Sequence, residues 1–411
     1  MKVGVFLGNI SPPAGGGFTF LDDILQALIG LESRHALVVF SHLTEQRTRG
    51  ADTKHIQFVS LQRGFWERAR YKLTRITARA VAKLPIIRNW FQIKYTNWLK
   101  RAVDHLGIDV MWFAAPGYIE VDIPYIFTVW DLQHRLQPWF PEISANGRWH
   151  RREKMYATAI PRASAVIAYS EVAKAEIVHF CRVPPEHVSV IPLPTPRFAL
   201  SASEDNGKKV LTKYHIPEGY LFYPAQFWPH KNHVGLLVAV NLLRERYDLV
   251  LPVVFVGSDK GNLQYVRRVV DELSLSKQVH FLGFVPQQDL VGLYHNAFAL
   301  TDLTFFGPVN LPPLEAFALG CPVIASDVSG AQEQLGDAAL LVDPRDEEQI
   351  ALAVKSLYDD PALRQTLVQR GLERAAKWTG EDFVKSVFSI LNEFEPVRRC
   401  WSNTGWWLNG K

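Results

Sequence analysis

FFGPVNLPPLEAFALGCPV, residues 305–323, reads as a turn-rich loop, a helix and the start of a buried strand. An apolar strand over Ala297–Leu303 leads into it, and the loop carries Gly307, Pro308 and Asn310. Pro312 and Pro313 fall in the first helical turn, where a missing backbone N–H costs little. The helix LEAFALG ends at Gly320, and the strand PVIAS follows. A loop that feeds a helix N-terminus from the carboxyl end of a strand is an anion site. Free N–H groups and the positive end of the helix dipole both point into it. Glu315 is expected in the first turn, facing the occupant, where a carboxylate suits the two hydroxyls of a ribose. The stretch therefore reads as a nucleotide site, with phosphate on the helix end and sugar on Glu315.

At 411 residues the chain suits two domains of about 200 residues each. With 48% apolar and 21% charged residues, it has the composition of a globular protein with two cores. No uncharged apolar run reaches the roughly 18 residues that span a bilayer. MKVGVFLGNI reads as a first buried strand rather than a cleavable leader. Three cysteines without metal-ligand spacing point to a reducing cytoplasm.

Short apolar runs alternate with helical patterns on both sides of the quoted stretch. In the first half the strands are Val3–Leu7, Leu37–Phe40, Ile56–Val59, Val110–Phe113, Tyr125–Val129 and Ala165–Ala168. Tyr220–Tyr223, Pro252–Val256, Val279–Leu282, Val323–Ala325 and Ala339–Val342 continue the series, with RFALSASEDNGKK read as a linker between the halves. That is the βαβ signature of two doubly wound parallel sheets.

LPPLEAFALGCPVIAS, with GAQEQLGDAALLVDP (Gly330 to Pro344) downstream, resembles the donor-binding region of retaining GT-B glycosyltransferases of the GT4 type. GNISPPAGGG, DLQHRLQPWFPE and PAQFWPHKNH extend the resemblance over most of the chain, in the family's order. It implies two Rossmann-like domains facing a cleft: 1–200 on the acceptor side, 201–375 binding the nucleotide sugar. A helix in 376–411 would cross back to the first domain. It also implies retaining, metal-independent transfer from a nucleotide sugar to a lipid-linked or saccharide acceptor, as in synthesis of a bacterial surface polysaccharide, with no cofactor.

Read against the family pattern, Lys231, Asp131 and Glu315 are the expected catalytic groups. Lys231, at a strand's carboxyl end, would neutralise the departing diphosphate. Gly16 and Gly17 would let backbone approach a diphosphate closely. Gly257, Gly283, Phe284, Val285 and Leu290 would line the donor base, and Gly307, Pro308, Val309, Asn310 and Leu311 the donor sugar and phosphate, with His230 nearby. Plainer readings stand beside these: a flexible turn for the glycines, a solvated charge for Lys231, and a helix N-cap for Asp131. The chain departs from the family at Gln226, where an arginine is usual, at Trp130, where the motif is His-Asp, and at Gly307, where a first glutamate is usual.

Residues 62–101 hold eleven Lys or Arg and one acid, interleaved with seven aromatics, including Arg68, Arg75, Arg79, Trp90 and Trp98. That pattern suits an anionic membrane surface, hence a cytoplasmic protein peripheral at the inner face of the membrane. Nucleic-acid binding is the rival for such a patch, but no nucleic-acid fold accompanies it, and a merely solvated helical face is the plainer alternative. A catalytically silent sugar-nucleotide or glycan-binding protein on the same fold stays open, since fold does not decide activity. A nucleotide-sugar epimerase would lack the LPPLEAF-type loop.

Overall fold

The computed structural model describes residues 1–8, 15–41, 56–61, 98–202, 207–307 and 309–401. Among the described residues, thirteen strands form two all-parallel sheets. The first contains β1 (Lys2–Gly8), β2 (Ala36–Ser41), β3 (Ile56–Ser60), β4 (Val110–Phe113), β5 (Tyr125–Thr128), β6 (Ala165–Ala168) and β7 (Val188–Val190), in the order β3-β2-β1-β4-β5-β6-β7. The second contains β8 (Tyr220–Pro224), β9 (Val253–Val256), β10 (Val279–Gly283), β11 (Ala297–Asp302), β12 (Val323–Ser326) and β13 (Ala339–Val342), in the order β10-β9-β8-β11-β12-β13. β1, β4, β5, β6, β9, β11 and β12 are buried almost along their whole length because helices cover both faces. That is why they read as continuous apolar runs.

In each sheet the strand order reverses once, between β1 and β4 and between β8 and β11. Crossovers leave in opposite directions there, so a crevice opens at the strand carboxyl ends. The loops after β1, β8 and β11 therefore decide what either sheet holds.

Two local readings are corrected. β7, at the edge, is too short at three residues for alternation to register. The polar stretch read as a linker contains helices at Arg197–Leu200 and Gly207–Tyr214. Ala199 and Val210, one on each helix, are buried in the second core.

The Gly380–Arg398 helix, started by a Thr379–Asp382 capping box, inserts Phe383, Val384, Val387 and Leu391 into the core of the first sheet. The Phe383 ring meets Phe20 edge-on at 5.4 Å and stacks on Trp112 at 6.4 Å. A chain end that follows the second sheet thus completes the first domain. Phe383→Ala should destabilise the first domain by about 3–5 kcal/mol. Urea denaturation followed by near-ultraviolet circular dichroism of the Trp112 region would show this as an earlier transition.

Candidate active site

The Leu311–Ala318 helix begins at the β11 end of the second crevice, with Asn310 as its N-cap residue. Asn310 is held on three sides. Its N–H donates to Gln334 Oε1 at 2.9 Å, its carbonyl accepts from Gln334 Nε2 at 2.7 Å, and Lys231 Nζ donates to its Oδ1 at 3.2 Å. Lys231 ends a short turn, Pro229–Lys231, after β8, and the Tyr223 hydroxyl donates to its carbonyl. An ammonium group and a helix N-terminus therefore lie together at the switch point between β8 and β11. Gln334 was not foreseen. Its signal was present, as a polar residue on the short Ala331–Leu335 helix of the second family motif.

Across the crevice, Leu311 is buried in the first domain's core and Val309 packs against the same cluster. Leu311 rests on Gly16, where an added Cβ would lie 3.2 Å from Leu311 Cδ1. Gly16 and Gly17 open the Gly16–Gly30 helix, so the glycine turn and the 309–311 loop meet directly.

Glu315 requires a correction: it lies in the second turn of its helix, not the first, and is only 5% exposed. The Tyr294 hydroxyl donates to its Oε2 at 2.7 Å. Burial pushes the carboxyl up to about 7, against the pull of that hydrogen bond. Asp302, at the end of β11, is also buried and raised by burial, and its Oδ1 has no hydrogen-bond partner. Two carboxyl groups held out of water behind a lysine are poised to gain stability from hydroxyl donors.

Asp131 behaves differently. Its Oδ1 accepts the Gln133 N–H at 2.8 Å, an Asx turn, so the expected capping is to the second residue on rather than a helix N-cap at Asp131 itself. The same oxygen pairs with Arg152 at 2.6 Å. Burial works to raise this carboxyl, but Arg152 and the backbone N–H hold it below the usual range. Arg152 lies on the Arg148–Ala159 helix, about twenty residues on, which local reading of DLQHRL does not reach. His134 and Arg135, the basic groups nearest to Asp131 in sequence, are paired with Glu153. Trp130 donates its indole N–H to the Ala114 carbonyl at 3.0 Å and meets Phe20 edge-on.

His230 reaches the other domain. Its ring Nδ1 lies 2.6 Å from Glu142 Oε1, and its backbone N–H donates to the same oxygen at 3.0 Å. Burial lowers the imidazole to about 4 despite that partner, so the ring is neutral at pH 7. Glu142, in WFPE, was likewise missed.

The remaining residues sort by geometry. Gly257 is a glycine because a Cβ there would sit 2.2 Å from the Ala225 carbonyl oxygen, and its N–H donates to Gly283 O at 2.8 Å. Phe284 is exposed, whereas Val285 is buried in the second core and offers only its backbone; Leu290 packs beside it. Gly307 has φ 125°, open to glycine. Pro308, Arg68, Arg75, Arg79 and Trp90 lie outside the described residues. Trp98 is helical, in a stretch described over 98–105, and is 41% exposed. Among the described residues no three His, Cys, Asp or Glu side chains converge as metal ligands, and no helix is long and apolar enough to cross a membrane.

The molecule has the GT-B architecture. Sucrose-phosphate synthase from Thermosynechococcus elongatus superposes with TM-score 0.72 at 18% identity, over 97% of this chain and 100% of the other. Anabaena HepE in complex with UDP and glucose superposes with TM-score 0.70 at 15% identity, over 96% and 100%. Residues 14–196 match the model of glycosyltransferase family 4, and residues 212–374 that of glycosyl transferases group 1. The chain belongs to the group 1 glycosyltransferases of this GT4 type. O-antigen chain mannosyltransferase B of Escherichia coli is 28% identical over 243 residues, which are 59% of this chain and 64% of that relative.

The raised Glu315 carboxyl carries a stability signature. Its folded value, about 7, lies above the ordinary 4.5, so the stability it contributes is complete below pH 4.5 and is lost as pH rises through 7. The size is up to about 3 kcal/mol. Urea midpoints of wild type and Glu315→Gln, measured from pH 4.5 to 8, should therefore diverge. The wild type should lose stability relative to the variant as pH rises.

Proposed function

We propose that this chain is a retaining glycosyltransferase that moves a sugar, mannose foremost, from a nucleoside diphosphate to a saccharide or lipid-linked acceptor in O-antigen or related surface-polysaccharide synthesis. The observation that carries the reading is the meeting of Lys231, the Asn310-capped helix start and buried Glu315 at one switch point, with Gly16 closing it from the other domain. Family membership supports transfer of a sugar, and the mannosyltransferase relative supports mannose and O-antigen.

In this reading Glu315 accepts the ribose hydroxyls, and their hydrogen bonds favour its ionised form. The Leu311 N–H and the positive end of the helix dipole hold the diphosphate, since Pro312 and Pro313 carry no N–H and that of Asn310 is given to Gln334. As the bond from the anomeric carbon to the phosphate oxygen breaks, its electron pair goes to the diphosphate, and Lys231 meets the growing charge. The acceptor hydroxyl gives its proton to a departing diphosphate oxygen, and its oxygen bonds the anomeric carbon on the face the diphosphate leaves, which retains configuration. No resident metal is needed where an ammonium and a helix N-terminus supply the positive potential.

Binding without transfer is the second reading. It is favoured by Gly307, which leaves the donor loop without the usual first glutamate, and by Asp131, tied to Arg152. Turnover decides between the two. Lys231→Ala should lower turnover by roughly 100-fold or more with a smaller change in donor binding, whereas Glu315→Ala should fall mainly on donor affinity. GDP-mannose is the first donor to assay, beside UDP and dTDP sugars. Equal, small losses would move the donor site elsewhere, and a rate abolished by chelator and restored by Mg²⁺ or Mn²⁺ would overturn metal independence.

The basic–aromatic stretch 62–101 suits delivery of a membrane-held acceptor to the first domain, with the protein at the inner face of the membrane. Each basic residue near an anionic surface contributes at most ~1 kcal/mol, less once screened. Co-sedimentation with anionic vesicles should be salt-sensitive and weakened by replacing Arg68, Arg75 and Arg79 with Glu. Indifference of the wild type to such vesicles at low salt would favour a soluble acceptor.

A further inference from the structure

The Gln137–Ser144 segment of the first domain is fastened to the second domain beside the donor loop. Gln137 Nε2 donates to the Phe305 carbonyl at 2.9 Å. Phe140 lies among Phe305, Phe306 and His230, with ring centroids 5.9, 5.5 and 6.3 Å away. At the centre is the Glu142 side chain, 5% exposed, whose Oε1 takes both donors of His230 while Oε2 is buried without a partner. A carboxylate so enclosed depends on His230 for its compensation.

His230 is in turn a node of the donor site. Its ring stacks on Phe306 at 4.0 Å and 15°, and its carbonyl accepts from Phe305 N–H at 2.8 Å and from Thr304 Oγ1 at 3.3 Å. The next residue is Lys231, whose ammonium is on Asn310. Thr304, Phe305 and Phe306 of the loop thus all touch His230, which also precedes Lys231 in the chain, and His230 is fixed from outside its own domain.

We propose that Glu142 is a positioning residue for the donor site: it sets His230 from the facing domain, and through it the 304–307 loop and the Lys231 ammonium. It rests on the donor-site reading above. In consequence, the site that holds the nucleotide in one domain has its phosphate-side geometry completed by the acceptor-side domain. Separation of the domains would leave the nucleotide bound but Lys231 misaligned for departure of the diphosphate.

The test uses the full chain, with UDP, GDP and dTDP titrated by intrinsic fluorescence and turnover of the matching nucleotide sugar measured at saturation. Glu142→Ala and His230→Ala should each lower saturating turnover roughly 10- to 100-fold, while nucleotide affinity changes less than about 3-fold. Because Glu142 acts through His230, the double variant should turn over no more slowly than His230→Ala alone. Glu142→Gln keeps the shape and an acceptor for both His230 donors but buries an unpartnered amide N–H₂ at the Oε2 position. It should lose roughly 3- to 10-fold and decides the matter if the alanine variant does not fold. Losses that add in the double variant, or wild-type turnover in both Glu142 variants, would overturn the proposal. Losses carried equally by nucleotide affinity, or matched by the loss of folded protein in a thermal melt, would reduce Glu142 to a structural tie. A wild-type protein that binds none of the three nucleotides would sink the donor-site reading as well.

Discussion

Leu311 sits in two places at once: it opens a helix of the second domain and is buried in the core of the first, against Gly16. This contact brings the switch points of two separate sheets face to face. The contact is close, since a methyl group at Gly16 would lie 3.2 Å from Leu311 Cδ1 and the leucine would have to give by a few tenths of an ångström. The Phe383 helix, which follows the second sheet along the chain, packs into the core of the first.

Around that contact the electrostatics divide in two. Behind Lys231, Glu315 and Asp302 are carboxyl groups raised by burial, with fewer hydrogen bonds than an ionised carboxylate takes. Such groups cost stability in the empty protein and favour a ligand that brings hydroxyl donors. At the β5 end the opposite holds. Asp131 is kept ionised by Arg152 and a backbone N–H, and His134 is occupied by Glu153. A carboxylate already compensated has little to gain from a ligand, which makes the β8–β11 side the place where binding energy is available.

Three substitutions within the family pattern fall on this same crevice. Gln226 shares a hydrogen bond with Trp228, Trp130 gives its indole N–H to the backbone, and Gly307 leaves its loop without a carboxylate. Each exchanges a charged or titratable group for a neutral one. The interdomain pair of Glu142 and His230 lies next to Phe306, one residue from Gly307.

The amino-acid sequence by itself determined the fold class, because parallel strands covered on both faces must read as apolar runs. All but the three-residue β7 were legible for that reason. It also placed Asn310 and Glu315 within one loop–helix unit, and Lys231 at the carboxyl end of another strand, since proline, asparagine and glycine chemistry is local. Glu315's turn was misjudged by one because helix starts are blurred by consecutive prolines. Only the tertiary structure decided the partners: Tyr294 for Glu315, Arg152 for Asp131, Glu142 for His230, Gly16 for Leu311. Those pairs join segments from about twenty to nearly three hundred residues apart, and spacing along a chain carries no information about which of two folded surfaces will meet. The physical reason is that burial, which sets whether a carboxyl is raised or held down, is a property of the packed assembly and not of the residues beside it in sequence.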